Sequence, residues 1–208
     1  MRAMRVFIAI DLSEKIRVKI AEIQNEFAFL KVHSPGAAKF VDLAHAHQTV
    51  KFLGDVSEDD VERIKSGLAE ITQKPFDIGL RGVGFFPAAP ASDSASASSP
   101  EKFIARKIRV IWIGIREGKE RLKALQEEVE REMHRLGFPR EKRFSAHVTL
   151  CRVKKPLRSK NELECVTEKI VELRDVEVGK MCVEELKLKK STLTPGGPIY
   201  EDLYVKRL

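Results

Sequence analysis

Apolar positions in this chain follow two alternating rhythms. Residues 5–10, Arg-Val-Phe-Ile-Ala-Ile, form a β-branched and aromatic run of strand length. Asp11 or Ser13 can cap the helix that follows. That helix reaches about residue 30, because Ile16, Ile20, Ile23 and Phe27 recur at steps of three and four and make one apolar stripe. Pro35 and Gly36 mark a loop, and strands are predicted at 39–41 and 47–53, the second stopped by Gly54. Ser57, with Asp60 three residues on, resembles a capping box and opens a helix to about residue 72. Residues 75–86 read as a strand interrupted by Gly79, Gly82 and Gly84. Further strands are predicted at 107–115, 144–153, 176–189 and 199–206, with helices at 119–136, closed by Gly137, and at 160–173. The turn Thr194-Pro195-Gly196-Gly197-Pro198 leads into the last strand. Helices and strands alternate without the strict βαβ rhythm of a doubly wound sheet, which predicts an α+β fold.

One stretch breaks both rhythms. Residues 87–100, rich in Ala, Ser and Pro, hold no large apolar side chain and cannot offset their ordering entropy by burial. A mobile loop is therefore expected over 88–106, inside a single domain spanning 1–208. Hydrophobic residues at 43% and charged residues at 33% allow a packed core and argue against global disorder. The longest apolar run, residues 110–115, is far short of the ~18 needed to span a bilayer. Asp11 closes the first apolar run before any secretory cleavage pattern. Cys151, Cys165 and Cys182 form no C-x-x-C pair, so the reading is a reduced, cytoplasmic chain without a zinc ribbon. A net charge of +7 favours anionic partners, and only six Asn and Gln residues give the composition a thermophilic cast.

The chemistry is carried by a pair of motifs. His47-Gln48-Thr49-Val50 and His147-Val148-Thr149-Leu150 share the pattern His-x-Thr-aliphatic, each within a predicted strand. Residues two apart on a strand project from one face, so each motif aims an imidazole and a hydroxyl together. Two such strands facing one another would gather two His and two Thr around a single site, and a phosphodiester suits it. The hydroxyls donate to non-bridging oxygens, and the imidazoles handle protons on opposite sides of phosphorus. With six threonines in the chain, two chance matches among its five histidines have a probability of roughly 1%. The competing reading of either motif alone is a solvent-facing strand histidine beside a threonine chosen for β propensity.

The chain also resembles a known family, the two-histidine phosphoesterases, and within it the 2′-5′ RNA ligase or RNA 2′,3′-cyclic phosphodiesterase branch. The resemblance rests on both motifs in their contexts, His47-Gln-Thr-Val-Lys-Phe-Leu-Gly54 and Phe144-Ser-Ala-His-Val-Thr-Leu-Cys-Arg-Val-Lys154. It extends to the segments beginning Arg5-Val-Phe, Gly82-Val-Gly-Phe-Phe, Arg109-Val-Ile-Trp and Ser191-Thr-Leu-Thr-Pro-Gly-Gly. It implies a bilobal fold of two similar antiparallel-sheet lobes, helices on the outer faces, and a central cleft carrying the two motifs. It implies opening of an RNA 2′,3′-cyclic phosphate to a 2′-phosphate, with His147 as general base and His47 as general acid, without metal or other cofactor. Thr49 and Thr149 hold non-bridging oxygens. Expected partners are RNA ends with a 2′,3′-cyclic phosphate or small cyclic nucleotides, and the expected protein is a monomer. Reverse 2′-5′ ligation is the microscopic reverse. The chain departs from the family in its long 88–106 segment, in Cys151 where glycine is common, and in a second histidine, His45, before the first motif.

Supporting residues divide by argument. Lys51, four residues after His47, shares its face by parity and is a candidate for substrate binding, as is a solvated strand-end role. Arg152 lies five residues after His147, on the opposite face by parity, so the phosphate contact implied by the resemblance requires a bulge. Arg109 is placed in the cleft by the resemblance alone. Trp112 and Phe52 are expected in the core, with base stacking as the alternative for each, and Ser191 and Tyr200 as supports of the sheet. His45 is a surface neighbour or a modulator of His47. Two other readings of the motifs stand: a metallohydrolase using His45, His47 and His147, for which ligand carboxylates are scarce, and a module that binds RNA or nucleotide phosphate without turnover.

Overall fold

The computed structural model describes residues 3–33, 36–86, 108–141, 143–155, 157, 160–195 and 197–208. The loop expected over 88–106 lies outside the described residues. In chain order the elements are β1 (Met4–Asp11), α1 (Glu14–Glu26), α2 (Phe29–His33), β2 (Ala38–Phe40), a 3₁₀ turn (Leu43–His45), β3 (His47–Val56), α3 (Glu58–Ala69) and β4 (Phe76–Phe86). They continue with β5 (Val110–Glu117), α4 (Lys119–Arg135), β6 (His147–Val153), α5 (Lys160–Glu172), β7 (Glu177–Val183), β8 (Glu185–Thr194) and β9 (Gly197–Arg207).

The strands form two antiparallel sheets, ordered β3-β1-β8-β9 and β2-β6-β5-β4-β7, so the fold is α+β with two lobes. Each lobe pairs a motif strand with an earlier strand that is followed by a long helix: β3 on β1, which leads into α1, and β6 on β5, which leads into α4. Those helices cross over. The α1 helix leaves β1 but packs on β6 and β7 of the other sheet, while α4 leaves β5 and packs on β3. Ile16, Ile20 and Ile23 of α1 are buried, the predicted stripe. Burial of each contributes roughly 2–3 kcal/mol. Because the helices are exchanged, one buried cluster runs beneath both sheets.

Several boundaries differ from the sequence pattern for identifiable reasons. The first helix ends at Phe27, whose N–H turns back to the Gln24 and Asn25 carbonyls, and a second short helix follows. Gly54 does not stop β3. It takes a positive φ of 81° and remains paired with Val6. The strand expected over 176–189 is two strands in different sheets: β7 pairs with β4, β8 pairs with β1, and the Glu184 carbonyl at the handover accepts from the Leu208 N–H. The capping box is present, with Asp60 N–H donating to Ser57 Oγ at 3.1 Å and Ser57 N–H to Asp60 Oδ2 at 3.3 Å. Gly84 lies under the Trp112 ring, where a Cβ would sit only 2.4 Å from ring carbons.

Both motif strands contain the same irregularity. Along β3 the pairs run Asp11↔His47, Ala9↔Thr49, then Ile8↔Lys51, leaving Val50 as an extra residue. Along β6 they run Gly114↔His147, Trp112↔Thr149, then Ile111↔Cys151, leaving Leu150 as the extra residue. Each bulge inverts the alternation of faces beyond it. The cleft-facing set therefore becomes His47, Thr49 and Phe52 in one lobe, and His147, Thr149 and Arg152 in the other.

Candidate active site

The two motif strands line a cleft of ≈ 990 Å³ between the sheets, with His47, Thr49, His147, Thr149 and Arg152 in its wall. The two imidazoles are held alike. His47 Nδ1 lies 2.7 Å from the His45 carbonyl, and His147 Nδ1 lies 2.9 Å from the Ser145 carbonyl. A carbonyl oxygen can only accept, so each Nδ1 carries a proton and donates it. Each neutral ring then keeps its lone pair on Nε2. The His45 carbonyl is presented by the 3₁₀ turn, in which the Ala44 N–H is capped by the Asp42 carboxylate at 3.0 Å.

Both histidines titrate below the ordinary histidine range. For His47 the largest cause is desolvation by burial, opposed by the His45 carbonyl and the Asp11 carboxylate and reinforced by Lys189 and Arg152. For His147 desolvation again leads, opposed by the Ser145 carbonyl and reinforced by Arg152. The difference is chemically useful. Among the described residues, a carboxylate favours the imidazolium of His47 against two cations, whereas the charge acting on His147 is the Arg152 cation. Asp11 is itself fixed by Lys187 and Lys189, each at 3.0 Å, and both lysines also reach Asp202.

The packing around each ring restricts its orientation. His47 stacks against Phe7 at 5.0 Å between centroids and meets the edge of Tyr200 at 5.5 Å; His45 meets the same tyrosine at 5.2 Å. His147 stands edge-on to Phe86 at 5.1 Å, with Trp112 at 6.4 Å. Trp112 is thus a half-buried wall behind His147 rather than a core residue. Tyr200 and Ser191, read from sequence as sheet supports, both line the cleft.

Two residues nominated from the sequence sit elsewhere. Lys51 is 1% exposed and lies on the core face, because the Val50 bulge inverts the parity that would have aimed it at the cleft. Its ammonium donates to both Glu130 carboxylate oxygens, at 2.8 and 2.9 Å, and to the Pro139 carbonyl at 2.8 Å. Arg109 is exposed at the start of its strand and is not among the residues lining the cleft. Val110, the next residue, pairs with Arg152, so alternation turns Arg109 to the other face. The bulge that Arg152 required is present, at Leu150, and brings its guanidinium into the cleft. Phe52, expected in the core, is 61% exposed in the cleft wall. Arg5 also lines the cleft, 3.4 Å from Asp55, a position the sequence did not single out. The Cys151 thiol is buried and pushed up to about 12, which removes it as a nucleophile. Among the described residues no group of three or more His, Cys, Asp or Glu is set to hold a metal ion, and no helix is long and apolar enough to cross a membrane.

Comparison with known proteins agrees with this architecture. The family model described as LigT like Phosphoesterase matches residues 10–92 and 113–200. A Methanothermobacter thermautotrophicus RNA 2′,3′-cyclic phosphodiesterase is 38% identical over 206 residues, 98% of each chain. A protein of the same name from Archaeoglobus fulgidus is 37% identical over 202 residues, 97% of this chain and 99% of that one. Among solved structures, a Thermus thermophilus protein superposes with a TM-score of 0.69 at 26% identity, covering 99% of this chain and 98% of that one. Escherichia coli LigT, solved with 3′-AMP, gives 0.70 at 23% identity over the same shares and so speaks to the fold.

Proposed function

The chain belongs to the LigT-like phosphoesterases, and on that premise we propose that it opens RNA 2′,3′-cyclic phosphates to 2′-phosphates by acid–base catalysis between His47 and His147, with no metal taking part. The observation that carries this reading is the pair of imidazoles from equivalent bulged strands, each anchored through Nδ1 to a backbone carbonyl and facing one cleft with two threonines and an arginine.

His147 Nε2 takes a proton from water as the water oxygen attacks phosphorus. The bond from phosphorus to the ribose 3′ oxygen breaks in line, and that oxygen takes the proton of the His47 imidazolium. The products are a 2′-phosphate and a 3′-hydroxyl, with His147 protonated and His47 neutral, and proton exchange with solvent resets the pair. The Asp11 carboxylate favours a protonated, acidic His47 against the Lys189 and Arg152 cations, and Arg152 favours a neutral, basic His147 that has no such carboxylate among the described residues. Thr49, Thr149 and Arg152 hold the non-bridging oxygens as their charge rises. Attack by a 5′-hydroxyl in place of water is ligation through a 2′-5′ bond. Every group in this scheme comes from one chain, which suits a monomer.

The test is product analysis by phosphorus NMR with the nucleoside 2′,3′-cyclic phosphates, with and without a chelator. The expected result is exclusive 2′-phosphate formation at equal rates. A 3′-phosphate product would overturn the direction of opening, chelator inhibition would overturn metal independence, and binding without turnover would favour a phosphate-binding module.

A further inference from the structure

We infer that the cleft holds a second phosphate subsite, centred on Lys39 with Lys31 beyond it, which binds the phosphodiester on the 5′ side of the terminal nucleotide. The preferred substrate is then an RNA chain end rather than a free cyclic nucleotide. This deepens the reading given under Proposed function and rests on it.

Four observations converge. First, β2 pairs antiparallel with β6 so that Lys39 lies directly opposite Arg152. Side chains of directly opposed residues share a face, with Cβ atoms about 5 Å apart. The Lys39 ammonium therefore continues the cationic line that begins at Arg152, one strand further from the histidines, and both residues line the cleft. Second, the Lys39 head spans the cleft to the β8–β9 hairpin, where Gly197 leaves room for it; a Cβ there would lie 3.1 Å from Nζ. Third, these cations are not consumed by the protein. Lys51, Lys187 and Lys189 are each paired with carboxylates. Among the described residues, Lys39 and Arg152 have no carboxylate partner, and Lys31 rests with its ammonium 4.8 Å from the Phe40 ring centroid. Fourth, a volume of ≈ 990 Å³ is at the upper end of the range that takes a whole drug-sized ligand, about 300–1,000 Å³. One nucleotide does not fill it.

The direction follows from the chemistry of the substrate. A nucleotide whose 2′ and 3′ oxygens are tied up in the reacting phosphate continues into the chain only through its 5′ oxygen. The next anion along an RNA end seated on the histidines is thus the 5′-side phosphodiester, and a point charge from lysine suits a phosphate whose orientation is not fixed.

Three substrates test this: 2′,3′-cyclic AMP, the dinucleotide ApA ending in a 2′,3′-cyclic phosphate, and the same dinucleotide with an uncharged methylphosphonate linkage. The wild-type kcat/KM should favour the charged dinucleotide over the uncharged one by roughly tenfold, the scale of one charge-assisted contact. Lys39→Gln should abolish that ratio and leave 2′,3′-cyclic AMP turnover unchanged, and Lys31→Gln should reduce the ratio partially. A wild-type ratio near one, or a Lys39→Gln variant that keeps the full ratio, overturns the subsite. Calorimetric binding of the corresponding 2′-phosphate-terminated dinucleotides reads the same ratio without turnover. If that ratio is present while no cyclic phosphate is opened, the catalytic reading fails and the subsite stands; turnover with no ratio fails the subsite alone.

Discussion

Replacing Lys51 with methionine should destabilise the protein severely and leave its substrate affinity alone. In the folded chain the ammonium satisfies all three of its N–H donors, on the two Glu130 oxygens and the Pro139 carbonyl, in a site where the lysine side chain is 1% and the glutamate 10% exposed. Gln126 and the Glu141 N–H complete the shell of Glu130, at 3.1 and 3.4 Å. Removing the cation leaves a buried carboxylate whose charge is no longer matched, a loss of about 3–5 kcal/mol. For a chain of this size that corresponds to a fall in Tm of roughly 6–20 °C. Removing both charges is different. A Lys51→Met, Glu130→Leu double variant should recover most of the loss, since replacing a buried ion pair by a well-packed apolar pair is often neutral or stabilising, by about 1–4 kcal/mol. Urea denaturation of the four members of the cycle measures the coupling. Below the unfolding transition, the KM of Lys51→Met for a cyclic nucleotide should equal the wild-type value. A single-variant cost under about 1 kcal/mol would refute the buried-pair argument, and a raised KM at unchanged stability would return Lys51 to the substrate.

Both histidines titrate low, which fixes the sign of the pH dependence. The base must be neutral and the acid protonated, so lowering both midpoints moves the kcat/KM bell to the acid side, with its maximum below about pH 6.5; initial rates across the pH range measure this, and a maximum well above neutrality contradicts it. Phe52→Ala should raise KM for nucleotides roughly tenfold with kcat unchanged, as expected for one lost base-stacking surface. It should not affect a cyclic phosphodiester that lacks a base. Because Phe52 is 61% exposed, its removal should barely change urea stability, and equal effects on both substrates would exclude stacking.

The period-2 and period-3.6 patterns located most strands and helices, though not the break after Phe27 or the handover at Glu184, and the repeated His-x-Thr pattern picked out two imidazoles and two hydroxyls that line one cleft. The misplacements of Lys51 and Phe52 share one physical origin. Parity reasoning assumes an uninterrupted pleat, and nothing in Thr49-Val50-Lys51 or Thr149-Leu150-Cys151 announces an extra residue; the bulges appear only when β3 and β6 are laid against β1 and β5. The Val50 bulge turns Lys51 into the core and Phe52 out of it, and the equivalent Leu150 bulge, which the resemblance required, turns Arg152 into the cleft. The transfer at Glu184 was equally silent, because a single residue separates two strands that both read as apolar alternation. Lys39 carried no motif at all. Its place depends on β2 joining the edge of the second sheet, a pairing between residues more than a hundred positions apart.

The division of labour between the histidines is tested most directly by a leaving group that needs no proton. A nitrophenyl phosphodiester expels a stabilised phenolate, so the acid becomes dispensable and the base does not. On a nucleoside 2′,3′-cyclic phosphate, His47→Ala and His147→Ala should each lose about 10²–10⁴-fold in kcat. On the nitrophenyl substrate, His47→Ala should recover to near the wild-type rate while His147→Ala stays impaired. Equal recovery of both variants would contradict the assignment, and full activity of either on the cyclic substrate would contradict the two-histidine mechanism itself.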